Sequence, residues 1–309
     1  MIGIDDLNLK EFRPLQQSTS DLSRYVPPAK VGGSGQFFFT EDFLGGFGRG
    51  PDGQGRNLDT RLNHVAVYLP TGDFIVLGGG NLGYLEPKFH PNLYRPDNEL
   101  LPGDKCDWGN GDTAPRAGFC RLIMNPHQFP RLYHTSAVLL MDGRVLLGGG
   151  NAARAAWKGQ GTSRTLDLRP SPEYHSPGIP GEVQFFEVFS PPYKFAPTPP
   201  EIAHPSKQQI TYGEEFDFNV TKHAVANADD IKVTFIKLGS VTHSMDNGQR
   251  FANLEVRQVI ENGQRVRVRA PALADRELFP PGYYMLFYVH KSRRVPSREA
   301  LLVQLMPTR

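Results

Sequence analysis

A phenol and an imidazole stand side by side at Tyr133-His134, inside Pro130-Arg131-Leu132-Tyr133-His134-Thr135-Ser136, and a second imidazole, His243, follows far downstream in Val241-Thr242-His243-Ser244-Met245-Asp246-Asn247-Gly248-Gln249-Arg250. Phenols and imidazoles exchange protons and hold transition metals. An adjacent Tyr-His pair is by itself an ordinary core or turn feature. The second histidine, in a different kind of sequence context, makes the pair a candidate site.

The elements that must hold these groups read as strands. Tyr133-His134 opens the hydrophobic run Val138-Leu139-Leu140, which turns at Asp142-Gly143 and returns through Val145-Leu146-Leu147 to Gly148-Gly149-Gly150-Asn151. The same pattern occurs 70 positions earlier, from Arg61-Leu62-Asn63-His64-Val65-Ala66-Val67-Tyr68-Leu69, through a turn at Thr71-Gly72-Asp73, to Phe74-Ile75-Val76-Leu77-Gly78-Gly79-Gly80-Asn81. Each copy is a strand, a tight turn whose Gly supplies the positive φ a hairpin needs, and a buried strand ending in glycines that let backbones approach closely. Such a unit marks a kelch-type propeller blade, here lengthened by the excursion from Leu82 to Phe129, in which Pro91–Pro96 reads as an outer strand. His64 takes the repeat position of His134 and reads as a blade-packing histidine, with a ligand role as the alternative. A propeller closes with roughly four to eight blades, and the stretch before the second domain holds about two or three at the usual repeat length. Open blades would leave apolar faces and edges in water, so a partner chain, missing N-terminal blades or an unusual closure is expected.

From about Val183 the pattern changes. Phe185–Phe189 reads as a last strand, and Ser190-Pro191-Pro192-Tyr193 as a proline-stiffened linker. Short alternating strands are expected at Glu215–Val220, Lys232–Leu238, Leu254–Val259, Arg265–Ala270, Tyr283–Val289 and Leu301–Leu305, a spacing that suits an immunoglobulin-like sandwich. Arg265, Arg267 and Arg269 alternate with Val266 and Val268 and read as an exposed face.

Composition agrees with an all-β protein. The 309 residues suffice for a large core and about two domains. With 32 Gly and 27 Pro and no low-complexity tracts, many tight turns are expected. A net charge of +2 gives no basis for a nucleic-acid partner, and the run Lys291-Ser292-Arg293-Arg294 reads as a solvated turn. No stretch approaches the roughly 20 apolar residues that span a bilayer; a soluble chain without a membrane span is expected. Met1-Ile2-Gly3-Ile4-Asp5-Asp6 carries acids where a secretory signal would carry a basic and then an apolar region. Either a cytosolic protein or a chain that does not begin where its ancestor did is expected. Cys106 and Cys120 read equally as a disulfide or as two thiols, and without a CxxC pair a cysteine-rich zinc site is set aside. Trp108 and Trp157, in Gly-rich loops, read as packing residues or as stacking surfaces for substrate.

The Arg-x-Tyr-His strand with its Asp-Gly turn, Phe189-Ser190-Pro191-Pro192-Tyr193, Thr242-His243-Ser244 with Gln249-Arg250, and Pro280-Pro281-Gly282-Tyr283-Tyr284-Met285-Leu286-Phe287 with Val295-Pro296-Ser297 together resemble the galactose oxidase/glyoxal oxidase family of copper radical oxidases, over about 60–309. The resemblance implies an all-β chain, a partial kelch-type β-propeller followed by an immunoglobulin-like β-sandwich. Residues 1–59 would be an irregular N-terminal arm or degraded blade, 60–195 the propeller blades and 196–309 the sandwich. It implies copper (Cu2+) held by Tyr133, His134 and His243, the last delivered by a sandwich loop. Tyr133 would also act as general base toward an alcohol or aldehyde hydrate, while Arg131 and Gln249-Arg250 would orient the loops.

The family's remaining ligand, a tyrosine cross-linked to cysteine that stores one oxidising equivalent, has no identifiable counterpart here, and Asn63 stands at the repeat position of Tyr133. The expected activity is oxidation of a primary alcohol or aldehyde by O2 with release of hydrogen peroxide, completed by the missing propeller half. The alternatives are a non-catalytic copper-binding remnant and a carbohydrate- or cell-wall-binding β module. The family is typically secreted, yet no signal peptide is visible.

Overall fold

The computed structural model describes residues 61–82, 85–107, 113–115, 118–150, 183 and 185–307, together with the backbones of the strands Leu22–Val26, Gln36–Thr40, Phe47–Arg49, Gly55–Asn57, Ala156–Lys158 and Thr165–Asp167. Among the described residues the fold is all β; its longest helical piece is the four-residue 3-10 turn Pro192–Phe195. Within 1–59, Leu22–Val26 pairs antiparallel with Gln36–Thr40, and Phe47–Arg49 with Gly55–Asn57, so Phe37-Phe38-Phe39 lies in a strand. Trp108 and the side chain of Trp157 lie outside the described residues.

The first repeat forms one sheet in the order Leu62–Tyr68, Phe74–Leu82, Asn92–Pro96, Phe119–Ile123, with Leu85–Pro87 beside Phe74–Leu82. Four strands in chain order is how a propeller blade is built. Asn92–Pro96, expected as the outer strand, is third, and Phe119–Ile123 lies outside it. The second repeat gives Ser136–Leu139 and Val145–Gly148, and Glu187–Phe189 pairs antiparallel with the latter.

Both hairpins turn in the same way. Leu69 N–H donates to Asp73 O (2.8 Å) and Gly72 N–H to Leu69 O (2.9 Å); Leu140 N–H donates to Arg144 O (2.8 Å) and Gly143 N–H to Leu140 O (2.9 Å). This is the three-residue loop that ends on a left-handed glycine, with φ of 89° at Gly72 and 79° at Gly143.

The chain forms two compact units from interleaved segments. One comprises Met1–Val65, Val76–Ser136 and Gly148–Phe186, and the other Ala66–Ile75, Ala137–Leu147 and Glu187–Arg309. The second unit therefore contains both hairpin turns as well as the C-terminal sandwich.

Six sandwich strands lie where alternation places them, Glu215–Lys222, Ile231–Lys237, Phe251–Ile260, Arg265–Arg269, Gly282–His290 and Leu301–Leu305, while the short strands Glu201–Ala203, Gln209–Ile210 and Val295–Pro296 that join them were not expected. Phe251–Ile260 pairs first with Ile231–Lys237 and then with Arg265–Arg269, the second pairing shifting register between Val256 and Gln258, so one strand serves both sheets. The core between them includes Phe216, Phe218, Val233, Phe235, Val266, Val268, Tyr284, Leu286 and Tyr288, with the Phe235 and Tyr284 rings stacked at 4.3 Å.

Gly282–His290 is buried on both faces from Tyr284 onward. Met285, Phe287 and Val289 turn away from the sandwich core and pack in a second cluster that includes Leu139 of the second hairpin. The expected exposed Arg face is partly covered and paired. Arg267 meets Asp217 (2.7 Å) and Arg269 meets Glu215 (2.9 Å) across the ladder.

The run Lys291–Arg294 differs from a simple solvated turn. Lys291, Ser292 and Arg293 are exposed. Arg294 is buried, donating to Asp73 Oδ1 (2.5 Å) and Thr71 O (3.0 Å), and Thr71 Oγ1 completes the group on Asp73 Oδ2 (2.8 Å). A guanidinium that leaves water needs such a carboxylate. The proline-rich linker likewise carries buried Tyr193, whose hydroxyl donates to Gly143 O.

Candidate metal centre

Tyr133 and His134 are the central residues of a turn in which Thr135 N–H donates to Leu132 O (3.1 Å) and Thr135 Oγ1 donates to the same oxygen (2.6 Å). His134 has φ 63°, the left-handed third position of a type II turn that glycine or asparagine normally fills. The two rings stack with centroids 3.9 Å apart and planes 26° from parallel, Tyr133 half-buried and His134 exposed.

Glycines seat this turn. A Cβ on Gly149 would come within 2.5 Å of His134 O, and one on Gly78 within 2.4 Å of Arg131 O. Only residues without a side chain let the two glycine runs reach that backbone. Buried Arg131 donates to Gly149 O (2.6 Å) and Phe185 O (2.9 Å), as Arg61 of the first repeat donates to Gly78 O (3.0 Å) and His90 O (2.6 Å). Arg131 thus has the orienting contacts expected of it. His64 is part-buried, its Nδ1 2.9 Å from Arg61 O, and burial holds its pKa below the usual imidazole value.

His243 lies in the second unit, at the tip of a short hairpin. Val241–Thr242 pairs with Met245–Asp246, leaving His243 and Ser244 as a two-residue loop with φ of 51° and 64°. Two positive φ values in a row define a type I′ turn, the geometry that favours Asn-Gly. The His243 ring is exposed, with Nδ1 hydrogen-bonded to Thr242 Oγ1 at 2.7 Å. Ser244 is buried, and its hydroxyl has no hydrogen-bond partner among the described residues.

The loop is tied down beneath its tip. Gln249 accepts from Tyr68 N–H (2.6 Å) and donates to Ala66 O (3.3 Å), and Asp246 Oδ1 accepts from the backbone of Ser240, Gly248 and Gln249 at 2.9, 3.0 and 3.1 Å. Gln249 was legible as a loop-orienting residue. The Asp246 clasp was not singled out, though Asp246-Asn247-Gly248 is an Asx-turn signature that flags it.

Two imidazoles and a phenol suit Cu(II), which favours nitrogen donors and tolerates a weakly held phenolate. The orphaned Ser244 hydroxyl beside His243 agrees with this, because a buried polar atom without a protein partner calls for a water or bound group. Tyr133 and His134 belong to one unit and His243 to the other. Among the described residues no group of three or more His, Cys, Asp or Glu side chains gathers that could hold a metal ion. Cys106 and Cys120 are joined as a disulfide with Cα atoms 5.0 Å apart, and no other cysteine exists in the chain. No described helix is long and apolar enough to cross a membrane.

A family model described as galactose oxidase-like, early set domain matches residues 199–305. Aldehyde oxidase GLOX of Vitis pseudoreticulata is 30% identical over 259 residues, covering 80% of this chain and 42% of that protein. Aldehyde oxidase GLOX1 of Arabidopsis thaliana is 30% identical over 250 residues (77% and 35%), and galactose oxidase of Gibberella zeae 26% identical over 246 (77% and 28%). The solved structure of a fungal alcohol oxidase in complex with copper shares the fold with a TM-score of 0.62 at 21% identity, over 94% of this chain and 49% of that one. The chain therefore spans less than half the length of these relatives. Residues 199–305 form a galactose oxidase-like early set domain, and over most of its length the chain is similar to aldehyde and galactose oxidases and shares the fold of the copper-bound alcohol oxidase.

Proposed function

We propose that this chain is the copper-ligating part of an alcohol or aldehyde oxidase of the galactose oxidase/glyoxal oxidase type, with Tyr133, His134 and His243 as ligands. The observation that carries the reading is that, of the nine described non-glycine residues with positive φ, two are the motif histidines His134 and His243, each at a tight-turn position that favours glycine or asparagine. Strain of that kind clusters at ligand sites, where positioning the side chain outweighs its cost. The relatives are named as aldehyde and galactose oxidases and the structural neighbour holds copper, which supports the same class.

Within this reading, ring nitrogens of His134 and His243 would hold the metal, with Thr242 fixing the His243 ring through Nδ1. The Tyr133 oxygen receives the hydroxyl proton of the substrate. Copper supplies a Lewis-acid site and a one-electron couple. Converting RCH2OH and O2 to RCHO and H2O2 moves two electrons, so a second oxidising equivalent is required. In the family that equivalent resides on a Tyr–Cys cross-link. Here both cysteines are committed to the Cys106–Cys120 disulfide, so the cross-link would come from residues beyond these 309, as would the missing blades.

That pairing also favours the second reading, copper binding without radical chemistry. Intact mass with and without thiol reductant, alongside peroxide assays on primary alcohols and aldehydes, separates the two. A disulfide regains two hydrogens on reduction, whereas a thioether does not. Expected for the chain alone is the reducible mass, one Cu(II) bound and no peroxide, with peroxide appearing when the remaining blades are supplied. Absence of copper binding through His134 and His243 would overturn both readings.

A further inference from the structure

We propose that Asp246 is a positioning residue for His243, its carboxylate holding the hairpin tip in the one geometry that presents the imidazole to a metal. This rests on the reading of His243 as a ligand and adds a residue to it. The hairpin makes only the pairs Val241–Asp246 and Thr242–Met245, too few to hold a shape unaided. Its tip has little apolar support, since Thr242, His243 and Met245 are exposed. A His-Ser pair also disfavours the two consecutive positive φ values found there. Left to itself the tip would relax toward ordinary φ and carry His243 away.

The restraint comes from below. One oxygen of Asp246, the last residue of the hairpin, receives three backbone N–H groups, from Ser240 on one side of the loop and from Gly248 and Gln249 on the other. Hydrogen bonds to an ionised acceptor are roughly twice as strong as neutral ones, and these three close the loop across its neck. Asn247 N–H donating to Ser240 O (3.0 Å) closes it once more. The second carboxylate oxygen lies against Gly239, where a Cβ would come within 2.3 Å of it. The neighbouring Gln249 then bonds the loop to Ala66 and Tyr68, so the carboxylate sits between an anchored base and a strained tip.

The test uses the whole chain, with Cu(II) as the probe. Copper affinity is measured by competition with a chromophoric chelator, copper geometry by electron paramagnetic resonance, and exchange of the Ser240, Gly248 and Gln249 amides in the metal-free protein. For Asp246→Ala the expected results are faster exchange at those amides, copper affinity lower by about 10- to 100-fold, as for other residues that orient metal ligands, and altered hyperfine splitting. Asp246→Asn keeps a carbonyl acceptor and should recover part of the affinity. Gly239→Ala displaces the carboxylate while leaving Asp246 in place; it should reproduce the loss and serves if Asp246→Ala does not fold. Faster exchange with copper affinity and spectrum unchanged would overturn the proposal, reducing the clasp to loop stability alone. Unchanged copper binding in His243→Ala would instead overturn the ligand reading, a failure the same titration identifies separately.

Discussion

His134 and His243 sit where the chain would gain stability from other residues. A non-glycine residue in the left-handed region costs roughly 1–2 kcal/mol, and His243 is followed by Ser244, which adds a second positive φ and a buried hydroxyl without a partner among the described residues. Replacing the pair by Asn-Gly (His243→Asn with Ser244→Gly) supplies the preferred type I′ residues. Expected is a gain of about 1 kcal/mol in unfolding free energy together with loss of copper binding, checked by denaturant titration and a copper titration on the same sample. A loss of stability would show that the tip is not strained. The ligand candidates were legible from residue type and flanking motif. Their backbone strain was not, because φ at a His-Ser or Tyr-His step is set by the surrounding hydrogen bonds rather than by local preference. Asp246 escaped notice for a related reason, since an Asp before Asn-Gly reads first as an ordinary turn.

At the level of elements, alternation and turn chemistry located six sandwich strands to within three residues at each end, because their period of two is visible, and missed Glu201–Ala203, Gln209–Ile210 and Val295–Pro296, which are too short to show a period. The two hairpin turns were legible from their Gly and Asp residues. The Lys291–Arg294 turn was read as solvated because its partner lies 221 positions away in the sequence. Arg294 and Asp73 have side-chain exposures of 3% and 1%, so removing one partner strands a buried charge. Asp73→Ala should therefore cost about 3–5 kcal/mol, while replacing both Asp73 and Arg294 by apolar residues of similar volume should cost much less. Urea unfolding of the single and double variants distinguishes this from a surface pair, for which both effects would fall within about 1 kcal/mol.

Across the whole molecule, the fold class followed from Gly and Pro content and from the repeated hairpin. The distribution of strands between two interleaved units was not legible, since it depends on contacts between hairpin turns and sandwich strands far apart in sequence. Imidazoles whose pKa values burial lowers contribute to the acid response. His290 is 5% exposed, with Nε2 against His223 O (2.6 Å) and Nδ1 beside Arg293 (3.5 Å). Burial, aided by the Arg293 charge and opposed by the His223 bond and Asp230, lowers its pKa from 6.5, and burial lowers that of His64 as well. The unfolded chain takes up these protons first, so their contribution to stability is complete above pH 6.5 and drains as pH falls through the lower folded values. The urea midpoint should drop between pH 7.5 and about 5, before most carboxylates titrate, and His290→Gln should flatten that slope. The central claim is that Tyr133, His134 and His243 form one copper site. It is tested most directly by electron paramagnetic resonance of the chain loaded with one equivalent of Cu(II), beside His134→Ala and His243→Ala. A tetragonal, nitrogen-ligated signal that loses nitrogen coupling in each variant is the expected result. A spectrum identical in all three proteins would contradict the claim.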